Sequence, residues 1–165
     1  MIVSITGTPG TGKTSVSKYL EEFEVVYLTR FVKRHRLGKQ EESEFEVDIP
    51  EMREKLDEVI DGEKDTVIEG HLSHHFPSDY CVVLRCDPEE LGERLGNRDY
   101  SDYKIEENIE SEMLDVILTE AVGLQENIIE IDTTDRKPED VAEEIEKRIK
   151  NDETGYGEID WTDRL

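Results

Sequence analysis

The eight residues Gly7-Thr8-Pro9-Gly10-Thr11-Gly12-Lys13-Thr14 constrain this chain more than any other stretch. They match the pattern GxxxxGK[ST] in full and directly follow the apolar run Ile2–Thr6. Each residue type answers a physical demand. The glycines let the backbone curl until successive N–H groups point at one spot, and a helix opening there adds its positive dipole end. Lys13 supplies an ammonium for terminal phosphates, and the Thr14 hydroxyl is a hard oxygen ligand for Mg2+. A strand before and a helix after is the setting in which this pattern is a phosphate-binding loop rather than a chance turn. Thr8, Gly10, Thr11, Gly12, Lys13 and Thr14 are therefore the residues expected around the phosphates of ATP.

Beyond the loop, short apolar runs alternate with helical segments. Ile2–Thr6, 24–28, Thr66–Glu69, 80–86 and Ile128–Asp132 read as strands. Helices are expected over 15–22, 29–37, 50–62, from Pro88 behind an Asp87 N-cap, over 104–123 and over Pro138–Lys150. In the 104–123 segment Ile105, Ile109, Met113, Val116 and Ile117 recur at helical spacing and predict one apolar stripe. Residues 38–48 read as an acidic loop and 151–165 as a polar tail. This alternation predicts a P-loop NTPase three-layer α/β/α sandwich with a five-stranded parallel sheet. Ligands of such sheets bind outside the carboxyl ends of the strands.

Three further groups stand where that edge must be. Glu69-Gly70-His71 ends the third strand. A carboxylate there can hold Mg2+, directly or through water, and a neutral imidazole can orient water or contact phosphate. Arg94, Arg98 and Lys104 surround a polar loop at 97–103, which suits a lid that aims cations at a transferring phosphoryl group. Arg30, Lys33, Arg34 and Arg36 follow the second strand as the densest basic cluster, suited to a second phosphorylated substrate. His71, His74 and His75 form an HxxHH pattern, but no Cys or Asp nearby completes a metal set, and exposed loop histidines are the expected reading.

Charge narrows the partners. With 43 acidic against 20 basic residues the formal net charge is −23. Gripping a nucleic acid across the whole surface demands Lys and Arg, so any RNA contact would need a local basic patch or a partner that supplies the charge. The acidic residues run through the chain rather than through one tail, which fits adaptation to a salty cytoplasm better than plain solubility. Cys81 and Cys86 lie in one apolar run and would face opposite sides of a sheet, so free thiols are expected. No apolar run reaches the roughly 18 residues of a membrane span. The opening MIVSITG lacks a basic leader with a cleavage site. A soluble, cytoplasmic protein without a membrane partner is expected.

Taken together, these segments resemble the adenylate kinase isoenzyme 6 family, small nuclear and archaeal kinases also described as ribosome-assembly ATPases. The resemblance runs from Met1 to about Lys150. It rests on GTPGTGKT at 7–14, Glu69–His71 followed by Phe76-Pro77, VVLRC at 82–86, RL at 94–95 and RDYSDYKIEENIESE at 98–112. It implies one kinase domain over 1–150, with a monophosphate-binding region near 29–62 and a lid near 97–104. The implied reaction is ATP + AMP to 2 ADP with Mg2+, accompanied by slow ATP hydrolysis. A small-subunit platform ribosomal protein is the implied partner, in late maturation of that subunit, with any contact to pre-ribosomal RNA indirect. The resemblance makes Lys13, His71 and Arg98 catalytic, and Lys104 a lid-end lysine. It places Lys33 on the monophosphate-binding helix. Glu69 stands where the family usually has Asp, one methylene longer. A ribosome-assembly ATPase with secondary kinase activity, or a kinase of another small metabolite, are the competing readings.

Overall fold

The computed structural model describes residues 1–41 and 44–165. Its frame is a parallel sheet of five strands in the order β2-β5-β1-β6-β7. These are β1 Ile2–Thr6, β2 Glu24–Tyr27, β5 Thr66–Glu69, β6 Tyr80–Arg85 and β7 Ile128–Asp132. β3 Gly38–Glu41 and β4 Glu44–Val47 form a separate antiparallel ribbon. The strands are near-continuous apolar runs because both faces are covered. On one face Val3, Ile5, Val82, Leu84, Ile129 and Ile131 pack with Val16, Leu20, Val141 and Ile145. These last come from α1 Lys13–Ser17, the turn after it and α7 Pro138–Lys150. On the other, Ile68 packs with Leu28, Phe31 and Val32 of α2 Leu28–His35 and with Met52 and Leu56 of α3 Ile49–Val59. Cys81 and Cys86 are both buried and free, on separate apolar clusters, as their spacing predicts. Burial pushes each thiol up to about 12.

Register brings the functional segments together. Ile5 pairs with Glu69 and Thr6 with Val83. The loop leaving the central strand therefore starts beside the end of β5, at the carboxyl edge. A Cβ on Gly7 would lie 2.5 Å from the Leu84 carbonyl oxygen, so this first turn tolerates no side chain.

Several elements depart from the sequence reading. The helix expected over 15–22 ends at Ser17. Beyond it the chain tightens into turns, Tyr19 N–H to Val16 O and Leu20 N–H to Ser17 O, which carry Leu20 into the core. The acidic loop expected over 38–48 contains the β3–β4 ribbon, pairing Gly38 with Val47 and Lys39 with Glu46; residues 42 and 43 lie outside the described ones. The charge of this stretch hides its strand character, and Val47 packs at the edge of the apolar cluster under α2.

The continuous helix expected over 104–123 is two helices, α5 Asp102–Met113 and α6 Val116–Leu124. Asp115 breaks them apart with a left-handed φ of 54°. A short polar side chain accepts that conformation more readily than most, and Asp115 gains an ion pair with Arg85 there. The predicted stripe is accordingly split: Ile105 packs beside Cys86, Leu91 and Leu95, and Ile117 beside Cys81 and Leu118. Val116 is exposed, and the buried α5 side chains are polar, Asn108 and Glu112. Asp87 does cap α4 Pro88–Gly96, accepting from the Glu89 N–H at 2.9 Å.

The tail is attached rather than loose. Gly155 bridges to Ile129 on the outer edge of β7, Tyr80 Oη donates to Asp152 at 2.7 Å, and Arg164 pairs with Asp87 at 2.6 Å. Among the described residues no helix is long and apolar enough to cross a membrane.

Candidate functional site

Gly12, with φ 100°, turns the loop into α1 and leaves Lys13 at the first helical position. Lys13 is almost wholly buried, and its Nζ donates to the carbonyls of Gly7 at 2.8 Å and Thr8 at 3.0 Å. Burial, helped by Arg98, lowers its pKa to about 8 against the pull of Glu69 and Glu112. The direct partners of this ammonium are neutral carbonyls, and a phosphate would give it an ionic one. Thr11 Oγ1 donates to Thr8 O at 2.8 Å and closes the loop.

Thr14 and Glu69 meet: the Thr14 hydroxyl donates to Glu69 Oε2 at 3.4 Å. Glu69 is buried, and that burial raises its carboxyl above the usual range despite Lys13, Thr14 and Arg30. A hydroxyl and a buried carboxylate side by side are hard oxygen donors of the kind Mg2+ takes. His71 follows at the mouth of the same cleft. His71 is exposed there, and desolvation, with Lys13, His74 and Lys104, lowers the imidazole to about 4 against the pull of Glu120. It is neutral at neutral pH.

Arg98 and Lys104 flank this edge. Arg98 is exposed on the connection between α4 and α5, and Lys104 lies in the first turn of α5, 2.9 Å from Glu107. Arg94, grouped with them by sequence, does something else. Its guanidinium spans from Glu90 to the Thr133 carbonyl at 3.0 Å and the Gly10 carbonyl at 3.4 Å, tying the loop to the end of β7.

Two cavities flank the phosphate loop. One, of about 380 Å³, lies between the loop, Arg94, Arg98, Thr133 and Pro138. The other, of about 740 Å³, holds Lys13, Thr14, Glu69, His71, Arg98 and Lys104. They share Gly10, Gly12, Ser15 and Arg98. A third, smaller slot of about 110 Å³ opens beside Gly70 and His71, lined by Leu28, Val32, Val47 and Leu72 with Lys33 at its rim. Lys33 is exposed on α2 and lines this slot.

Three placements were not legible beforehand. Thr8 turns its side chain away from the cleft, and its hydroxyl donates to Glu112 at 2.6 Å. Glu112, buried on α5, also accepts from Arg85 Nε at 2.7 Å, and Arg85 continues to Glu130 at 2.6 Å. Arg85 stands in the otherwise apolar run 80–86, and a charge in such a strand is the one sequence signal for this network. His74, expected to be exposed, is fully buried: its Nδ1 lies 2.8 Å from Thr6 Oγ1 and its Nε2 2.9 Å from Glu120. His75 completes a cluster with that pair, but both His74 nitrogens already have protein partners.

A strand, a glycine-rich loop and a buried loop lysine at the centre of this sheet define a protein of the P-loop kinase fold. Solved structures agree. Shikimate kinase from Acinetobacter baumannii superposes with TM-score 0.63 over 92% of this chain and 94% of its own, at 17% identity. Deoxyadenosine kinase from M. mycoides does so with TM-score 0.58 over 93% and 100%, at 12% identity. Residues 3–115 match the family described as an AAA domain. The chain belongs to the family of archaeal proteins each described as "Putative adenylate kinase". That of Thermococcus kodakarensis is 42% identical over 99% of this chain and 94% of its own length. That of Methanocaldococcus jannaschii is 39% identical over 99% and 94%.

Proposed function

We propose that this protein transfers the γ-phosphoryl group of ATP to AMP. The observation that carries the reading is the pair of cavities joined across the phosphate loop, with Arg98 lining both. One side suits a donor nucleoside between Arg94, Thr133 and Pro138. The other suits an acceptor phosphate approaching Lys13, His71 and Lys104, with its base in the apolar slot of Leu28, Val32 and Leu72. Lys33 at the slot's rim is suited to the acceptor's phosphate or ribose.

Catalysis of such a transfer is mostly positioning and charge. An oxygen of the acceptor phosphate attacks the γ-phosphorus, and the bond from that phosphorus to the β-bridging oxygen breaks. The loop N–H groups from Gly10 to Thr14 hold the donor phosphates. Lys13 and Arg98 lie where charge on the transferring group must be met. Thr14 and Glu69 would hold Mg2+, which when bound neutralises phosphate charge and fixes the donor's orientation. Neutral His71 can donate from one nitrogen and accept at the other, which suits it to order a water or a phosphate oxygen without adding charge.

A coupled assay across AMP, CMP, UMP and GMP tests the acceptor. AMP should be turned over best, and a pyrimidine preference would refute the assignment. The family resemblance also supports slow ATP hydrolysis and the escort of a basic small-subunit ribosomal protein. The charge of −23 suits that partner, since complementary charge steers association. ATPase stimulation by that protein, measured beside turnover with AMP, decides which activity dominates.

A further inference from the structure

We propose that Glu112 is a positioning residue for the phosphate loop, and that the C-terminal strap tunes the loop's hold on the donor nucleotide through Trp161. The inference rests on the loop being the nucleotide site, as argued above.

The carboxylate of Glu112 sits between the two parts. Oε2 accepts from Thr8 Oγ1 at 2.6 Å. Oε1 accepts from Arg85 Nε at 2.7 Å, from the Cys86 N–H at 3.2 Å and from the Trp161 indole N–H at 3.3 Å. Three of these donors share Oε1, which has about two lone-pair directions, and the Trp161 contact is the longest of them. On its loop side, the Thr8 carbonyl accepts from Lys13 Nζ at 3.0 Å and from Thr11 Oγ1 at 2.8 Å. One short chain of hydrogen bonds thus runs from Trp161 through Glu112 and Thr8 to the lysine that meets the phosphates. Glu112 does not line either cavity, so it reaches a ligand indirectly, through Thr8 and through its charge near Lys13.

The strap is fastened, but thinly. Gly155 bridges β7, the Gly157 N–H donates to Glu130 Oε2 at 2.6 Å, and Arg164 pairs with Asp87. Glu130 is itself held by Arg85, so the strap touches two of the carboxylates around that cation. Tyr156 and Leu165 are exposed, and Trp161 is only half-buried. A segment with so little buried apolar surface docks at the low end of a protein's local stability. Its docking can therefore respond to what the loop holds. Linkage makes the effect reciprocal: if docking tightens nucleotide binding, nucleotide binding tightens docking.

Trp161 is the single tryptophan of the chain, so its emission reads the strap directly. The experiment titrates the whole protein with Mg·ADP, following emission and calorimetric heat together, and repeats the calorimetry on Trp161→Phe. The phenyl ring keeps apolar contact and removes the N–H. Saturating Mg·ADP should shift Trp161 emission along the same isotherm as the heat. Trp161→Phe should weaken Mg·ADP binding about two- to tenfold, the worth of one such bond. In steady state the donor KM should rise by that factor while the acceptor KM stays within about twofold, a split that a general loss of stability would not produce. Binding with unaltered emission, or with unchanged affinity in the variant, overturns the proposal and leaves the nucleotide site standing. No binding of Mg·ADP to the native protein overturns both.

Discussion

Arg85 offers the most severe test of how this site is supported. The side chain is fully buried in the sheet, and Glu112, Asp115 and Glu130 each reach its guanidinium. Burial works against its charge, but Glu112 and Asp115 outweigh burial and raise its pKa. Arg85→Met keeps an apolar stem of similar length and removes the cation. Glu112 at 2% exposure and Glu130 at 7% are then buried anions without a counter-charge. Breaking a buried pair from one side costs about 3–5 kcal/mol, against a total stability of about 5–15 kcal/mol. For a domain of this size each kcal/mol moves the melting temperature by about 2–4 °C, so a fall of about 6–20 °C is expected. Adding Glu112→Gln and Glu130→Gln to Arg85→Met should recover more than half of the loss, because neutral amides need no cation. Melting followed by near-ultraviolet circular dichroism at one salt concentration measures both. A fall of less than about 3 °C, or a triple variant no more stable than Arg85→Met, would refute the charge argument.

Three other outcomes follow from the same geometry. Lys13→Ala should abolish phosphoryl transfer in a folded protein, and native nucleotide affinity should be flat below about pH 8 and fall above it by up to tenfold per pH unit. The sign is fixed because the charged ammonium is the form that binds phosphate; affinity rising between pH 8 and 9.5, by calorimetry, would contradict it. His71→Gly should slow ATP hydrolysis by about a hundredfold or more while Mg·ADP binding changes little, since ordering water is the role suggested for a neutral imidazole there. Equal losses in both would defeat that role. Finally, with 43 acidic residues against 20 basic ones, the melting temperature should rise as KCl is raised from about 0.1 to 1 M. A flat or falling curve would count against a salt-adapted surface.

The parts of this molecule that were legible in sequence are those whose physics is local. The loop at 7–14 carries its own geometry in its glycines, and the strands announce themselves as apolar runs between turns. Glu69 and His71 could be placed because a parallel sheet fixes which end of a strand faces the ligand. What could not be read depends on contacts across the fold. Nothing within 98–112 says that Thr8, about a hundred residues away, donates to Glu112. The apolar spacing over 104–123 suggested one helix because periodicity carries no signal for a left-handed Asp115, whose reward is an ion pair with Arg85. His74 looked exposed because its partners, Thr6 and Glu120, come from other elements.

The bridge between Gly155 and Ile129 also has a meaning outside the nucleotide site. β7 is the last strand of the sheet, and the backbone of an edge strand offers unpaired donors and acceptors to any extended chain it meets. Here the chain's own end takes part of that place: the Gly155 N–H donates to Ile128 O at 2.8 Å, and Gly155 O accepts from the Glu130 N–H at 3.0 Å. Further strand addition on that side is blocked where β7 is most apolar. Gly155 therefore covers part of that flank, and shortening the protein before it would leave the Ile128 carbonyl and the Glu130 N–H without these partners.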